Sequence, residues 1–138
     1  MSKNYLEPTR AAGKELFTRG WQGEVIMLNL LRFRKIADYS QSPDLQLKYD
    51  ISGIDAYQLY IDKTKPLLEQ RGGELIMQGT ASHFFIGPSD ESWDLVMLVK
   101  QRSLQDFLAF ASDPAYQKIL GHRIAAIADS RLLPLQLL

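Results

Sequence analysis

The chain contains no cysteine. That excludes disulfides, thiolate metal sites and cysteine nucleophiles. It leaves the compartment open, because a cysteine-free chain survives in either redox state. An excess of one charge is also missing: 16 Lys and Arg balance 16 Asp and Glu, and the pI is near 6.7. Without a basic surplus there is no electrostatic footprint for nucleic acid and no polybasic cluster for a membrane surface. The longest apolar run, Val25 to Leu31, falls far short of the ~20 residues that a spanning helix needs. Met1-Ser2-Lys3-Asn4-Tyr5 has no apolar run behind its charge, so no secretory leader is read there. There is no phosphate loop, dinucleotide fingerprint, G-x-S-x-G or paired-carboxylate signature. The two histidines are far apart and lack a metal-ligand spacing such as H-E-x-x-H, so neither a metal nor another cofactor is expected. These absences leave a single cytoplasmic domain, long enough to bury a core without staples.

What is present is organised around Gly23 to Arg34, an almost unbroken apolar stretch. One parity carries Val25, Met27, Asn29, Leu31 and Phe33; the other carries Ile26, Leu28, Leu30, Arg32 and Arg34. Both parities are mainly apolar, which predicts a central strand buried on both faces.

Before it, Thr9 is a plausible N-cap and Gly20 a plausible C′ residue for a short helix that packs outside the core. Residues 35–52 show no period and read as a long loop, either functional or a solvated excursion. Ser52 and Asp55 open a long helix that Gly72-Gly73 closes. Glu74 to Ile86 reads as a second strand, with a bulge or close approach at Gly79. Trp93 to Lys100 reads as a third strand, paired with the second as an antiparallel hairpin. Ser103 caps a helix that Asp113-Pro114 restarts and that continues at helical spacing to Ile127. Leu132 to Leu137 is the last strand, and Pro134 places it at an edge.

The order is an extra helix, residues 1–22, followed by β-α-β-β-α-β over residues 23–138, an α+β ferredoxin-like arrangement. Both helices then cover one sheet face, and the other would be apolar and naked. A second copy placed sheet to sheet supplies the cover, so a homodimer is expected.

The chain resembles the domain of unknown function 1330 family, within the dimeric α+β barrel superfamily. The resemblance rests on Met27-Leu28-Asn29-Leu30-Leu31-Arg32-Phe33, Gly53-Ile54-Asp55-Ala56-Tyr57, Tyr60, Gly72-Gly73, Gly79 and Trp93-Asp94. Asp113-Pro114-Ala115-Tyr116-Gln117 and Arg123 complete it. It implies a dimeric α/β barrel and no established activity. The superfamily mixes enzymes with ligand binders, so the fold selects neither.

Several polar residues stand where polarity is costly. Asn29 on the central strand either makes a structural hydrogen bond or contacts a ligand oxygen. Arg32 and Arg34 form a cationic mouth for an anion, or pair with acids at the rim. His83 is either a general base or a satisfied structural histidine, while His122 reads as surface. Asp94 is a base or, as the favoured reading, an ion-pair partner of Arg32 or Arg123. Tyr57, Tyr60, Trp93 and Tyr116 line an aromatic pocket or simply pack. The expected site thus has Asn29, His83 and Asp94 as catalytic groups. Arg32, Arg34, Tyr57, Tyr60, Trp93, Tyr116 and Arg123 hold a small anionic or carbonyl-bearing metabolite. The alternative is a non-catalytic small-molecule binder or stress-related module. Regular parity puts Asn29 and the two arginines on opposite sheet faces.

Overall fold

The computed structural model describes residues 3–138. Met1 and Ser2, where the leaderless start was read, lie outside the described residues. The elements in order are α1 (Arg10–Phe17), β1 (Val25–Phe33), a 3-10 turn (Pro43–Leu45), α2 (Gly53–Gln70), β2 (Glu74–Thr80), β3 (Leu95–Gln101), α3 (Leu104–Ser112), α4 (Pro114–Ala126) and β4 (Ile127–Gln136). The four strands form one sheet in the order β2-β3-β1-β4, with every pairing antiparallel. This is the ferredoxin-like order, with α1 added in front and the second crossover helix broken into α3 and α4.

Local chemistry sets the helix ends. The Thr9, Ser52 and Ser103 hydroxyls accept from the amides of Ala12, Asp55 and Asp106, each at 3.0 Å. The Asp113 carboxylate accepts from Ala115 N–H at 2.9 Å, with Pro114 at the first helical position. Each cap satisfies an amide that has no partner within its helix. The far end of α2 is a Schellman motif. Gly72, at φ 79°, donates to Glu69 O, and Gly73 donates to Leu68 O, both at 3.0 Å. The first helix ends at Thr18, so Gly20 lies one residue past the position read for it.

The helices cover the odd parity of β1. Leu31 joins Tyr39, Ala56, Tyr57, Met97, Ala125, Ala126 and Ile127 in the main core. At the other end of the strand, Val25 and Met27 pack on Leu16 of α1 and Leu104 of α3. The first helix therefore contributes to the core instead of lying outside it. Its one buried residue, Leu16, closes the end of the sheet that α2 does not reach.

The even parity has no helix over it, and its one buried residue, Ile26 at 7% exposed, lies between Lys100 and Leu135 in the sheet. Leu28 and Leu30 of β1 stand in register with Leu98 and Val96 of β3, and Leu28 with Leu133 of β4. Met77 of β2 opposes Leu98. None of these residues belongs to the clusters packed under the helices. Leu133, Met77 and Leu135 are 56%, 45% and 37% exposed. One face of the sheet is thus apolar and bare.

Four expectations are corrected. The second strand stops at Thr80, not Ile86, because residues 81–90 leave the body of the protein and are all exposed. Its register shift falls between Leu75 and Met77, not at Gly79. The last strand begins at Ile127, where the sequence still fits a helix, because Ile127 pairs with Phe33 across a second bulge. His122 is buried, not at the surface: Tyr39, at the start of the long loop, places its hydroxyl 2.7 Å from His122 Nδ1. The same loop packs on α4 so closely that a Cβ at Gly121 would meet Ser42 Oγ and lie 2.7 Å from Leu45 Cδ1. Pro134 does lie on an edge strand, opposite Met27.

Gly53 marks the tightest backbone approach. A Cβ there would strike Arg34 O and lie 2.6 Å from Ala126 O, and neither backbone group can swing away. Gly53→Ala is expected to cost about 1–3 kcal/mol, a fall of roughly 4–12 °C in melting temperature. At Gly79 a Cβ meets only Met77 Cε at 3.6 Å, so Gly79→Ala is expected to leave the midpoint nearly unchanged. Thermal unfolding of both variants checks the contrast, and equal effects would refute it.

Candidate functional site

The register of β1 and β4 sets Arg32 directly opposite Asp129 at one end of the bare face. Asp129 is 2% exposed. A buried carboxylate must be fully bonded, and this one is. It accepts from Arg32 Nη2 at 3.2 Å, Arg131 Nη1 at 2.7 Å, Ser130 N–H at 2.9 Å and Tyr5 N–H at 2.8 Å. Two guanidiniums share one carboxylate, so the cluster keeps one positive charge in excess. Both arginine side chains are 32% exposed.

Aromatic rings hold the guanidiniums from the sides. Arg131 lies 4.8 and 5.0 Å from the ring centroids of Tyr5 and Trp93, and Arg32 lies 5.7 Å from Trp93. A delocalised cation over an aromatic face is attracted by the ring quadrupole. Trp93 is itself 2% exposed and donates its indole N–H to Glu91 at 3.0 Å. The N-terminal segment straps the cluster. Ser130 Oγ donates to Tyr5 O at 2.5 Å, and Arg123 Nη1 donates to Leu6 O at 2.8 Å.

Asp129, Arg131 and Tyr5 were not singled out from the sequence. Asp129 follows the helical stretch of α4 and reads as a helix end. Only an earlier start for β4 reveals it as the partner of Arg32. Once the strand begins at Ile127, the alternation of Asp129 and Arg131 on one face is visible.

The helix side holds the tyrosines. Tyr60 and Tyr116 hydroxyls are 2.7 Å apart. Rings follow in a chain from Phe33 to Tyr57 (5.3 Å), Tyr57 to Tyr60 (5.2 Å), Tyr60 to Tyr116 (6.1 Å) and Tyr116 to Phe110 (4.5 Å). Burial pushes all three tyrosine pKa values above the usual phenol value, opposed in part by the positive charge of Arg123. These tyrosines pack against one another.

The remaining candidates are dispersed. Asn29 is buried on the helix side, and its Nδ2 donates to Met27 O on its own strand at 3.2 Å. Asp94 is not an ion-pair partner of Arg32 or Arg123, as had been favoured. It accepts from Phe33 N–H at 2.8 Å and so ties off the end of β1, while Arg32 turns to Asp129. His83 is exposed beyond the end of β2, beside Ser82 Oγ at 3.2 Å. Arg34 lies past the end of β1. It adds a small downward pull on the Asp38 pKa, which hydrogen bonds from Ser40 chiefly lower. Arg32 and Arg34 therefore do not form one mouth. Of the ten candidates, Arg32 and Trp93 meet on the bare face, with Arg123 joined to them through the N-terminal strap, while Tyr57, Tyr60 and Tyr116 meet on the helix side.

Among the described residues, no group of three or more His, Asp or Glu is arranged to hold a metal ion, and no helix is long and apolar enough to cross a membrane. Two open depressions lie elsewhere, one along Lys65 to Leu75 with Lys100, the other along Ile36 to Asp50.

Residues 46–134 match the model of a domain of unknown function, DUF1330. The crystal structure of the RPA0582 protein of unknown function from Rhodopseudomonas palustris is 32% identical, with a TM-score of 0.87 over 99% of this chain and 98% of that one. Its methylated form gives the same identity and TM-score over 98% and 96%. A dabb-family protein from Mesorhizobium loti shares the fold at 11% identity and a TM-score of 0.51, over 85% of this chain and 99% of that one. No curated protein matches the chain.

Removing the shared carboxylate strands two arginines and two amides at once. Asp129→Ala is expected to cost about 1–3 kcal/mol and to release the N-terminal strap. Denaturant titration together with amide exchange at Tyr5 checks this, and unchanged protection at Tyr5 would contradict it. The tyrosine layer sets an alkaline limit. A phenol whose native pKa is raised stays protonated while the unfolded chain ionises. Its stability contribution is whole below pH ~10 and is lost as pH rises beyond it. Each such tyrosine steepens the loss by about 1.4 kcal/mol per pH unit. Tyr60→Phe is expected to flatten the fall in urea midpoint between pH 10 and 11.5 by about one proton, and an unaltered slope would remove Tyr60 from the account.

Proposed function

The chain belongs to the DUF1330 family, and from that premise we propose that it is a homodimeric binding protein for a small anionic metabolite, taken up at the arginine end of the bare sheet face. The observation that carries this reading is the pair Arg32 and Arg131 on the single carboxylate of Asp129. Each guanidinium spends one nitrogen on Asp129 and keeps further N–H donors. A carboxylate ligand would supply the missing negative charge and accept paired hydrogen bonds in the planar fork geometry that arginine favours. The apolar surface of Leu28, Leu30, Val96 and Leu133 continues from the arginines and suits the carbon body of such a ligand.

The dimer follows from the same face. A continuous apolar sheet surface in water is an interface or an aggregation liability, and a self-complementary face meets its own copy about a two-fold axis. A ferredoxin-like protein of unknown function from Bacteroides fragilis is described as dimeric. The reading is of binding and not turnover. Asn29 lies under the helices, Asp94 serves the end of β1 and His83 stands out in solvent, so these three share no reacting position.

A panel of three- to six-carbon carboxylates, each compared with its neutral amide, tests the reading by thermal shift and calorimetry. The acids are expected to raise the melting temperature and the amides not. Arg131→Ala and Arg32→Ala are each expected to weaken binding by about 10–100-fold, the value of a charged hydrogen bond worth ~1.5–3 kcal/mol. Equal binding of acid and amide, or undiminished affinity in both variants, would overturn the site.

A further inference from the structure

The β2–β3 hairpin carries the most exposed apolar cluster outside the chain's termini. Phe85 is 102% exposed, Ile86 88% and Phe84 39%. The tip is nonetheless shaped. Phe84 folds back so closely that a Cβ at Gly87 would lie 2.7 Å from its ring. Its base is tied to the body, since Trp93 N–H donates to Ser82 O at 3.0 Å and His83 bridges Ser92. Three successive large apolar residues held out on a fixed arm are costly in water unless something covers them.

We infer that this hairpin is an arm whose Phe84-Phe85-Ile86 tip closes over the arginine end of the partner protomer's sheet, so that each binding site is completed across the dimer. The inference rests on the dimeric anion-binding reading above and adds where the missing wall comes from.

Three observations select a second copy as the occupant. The first is continuity. The arm leaves the sheet after Thr80, which is in register with Leu95 and hence with Leu31, at the same end as Arg32, Asp129 and Arg131. Face-to-face packing allows a two-fold axis running along the strands or across them. An axis along the strands sets each β2 edge over the partner's β4 edge and the arm over the partner's Asp129 and Arg131. An axis across the strands sends the arm past the opposite end, where its apolar tip stays in water. Only the first arrangement covers the tip.

The second is charge. From Ala81 to Trp93 there is no Lys or Arg, and the arm's ionised residues are Asp90 and Glu91. An acidic arm complements the excess positive charge of the arginine end and is ill suited to an anionic lipid surface.

The third is area. Four strands of seven to ten residues, about 4.8 Å apart at about 3.3 Å per residue, present a flat footprint of roughly 500 Å². A stable interface buries about 800 Å² per partner. The sheet face alone falls short. Phe85, fully exposed and able to bury roughly 150–250 Å², brings the total into range together with Ile86 and the exposed part of Phe84.

The absence of native cysteine makes the test direct. Chains carrying Phe85→Cys are mixed with chains carrying Arg131→Cys, unfolded and refolded together, and mildly oxidised. Leu133→Cys, two residues along the same strand face, replaces Arg131→Cys should loss of the arginine impair folding. The expected result is a cross-linked heterodimer from the mixture and no cross-link from either variant alone. A protein that sediments as a dimer yet gives no mixed cross-link, or in which Phe85→Cys cross-links to itself, overturns the arm while leaving the dimeric reading intact. A protein that sediments as a monomer at micromolar concentration overturns both. Monomers that bind phosphatidylcholine–phosphatidylserine vesicles through Phe85 would instead assign the arm to a membrane.

Discussion

A strand with apolar side chains on both parities requires a cover on both faces, and one layer of helices supplies only one. Most features of this protein follow from how β1 resolves that constraint. On the helix side the cover is divided. Leu31 packs under α2 and α4, while Val25 and Met27 lie under α1 and α3. The helix added in front of the ferredoxin-like core is thus there because the second crossover breaks at Asp113-Pro114 and leaves one end of the sheet short of cover. Asn29 sits where the two covers meet. A buried amide that bonds its own strand is consistent with a seam between two packing units, where an apolar side chain would have no single set of neighbours to fill.

The architecture was legible because the period of apolar residues and the capping residues agree at almost every boundary. Ser52, Ser103 and Asp113 cap the helices assigned to them, and Gly72-Gly73 closes α2 as read. The site was less legible, for two physical reasons. Strand register is invisible in a single sequence, and the Arg32–Asp129 pair exists only through the register of β1 with β4. The helix-to-strand switch at Ile127 has no punctuation, since Ile124, Ile127 and Leu132 suit a helical stripe as well as a strand. Asp129 was therefore hidden, and with it the role of Arg32. The solvent status of His122 was hidden in the same way. Its burial depends on Tyr39, which arrives from a loop without period.

The second hairpin shows the opposite failure. Phe84-Phe85-Ile86 has the composition of a strand, and alternation alone extends β2 through it. The strand stops at Thr80 because pairing needs a partner, and after the turn at Gly87-Pro88 the returning chain offers two backbone hydrogen bonds, at Ala81 and Ser82, and the isolated His83–Ser92 bridge. Apolar residues that look like core from composition are then left outside the clusters packed under the helices.

The arginine cluster is the point at which stability and binding make different demands. A buried ion pair built for stability matches charges one to one, because desolvating an unmatched charge costs more than the pair returns. Here one carboxylate at 2% exposure serves two guanidiniums that each keep about a third of their side-chain surface. The carboxylate is satisfied several times over, and the arginines are not. Two rings pack against Arg131 without using its donors. Such an arrangement immobilises cations at little entropic cost to a later ligand, which is how preorganisation favours binding. Covering the sheet face would lower the local dielectric around these charges and strengthen their pull on an anion. The cover demanded by the apolar strand and the counter-charge demanded by the arginines are therefore needed at the same end of the same face.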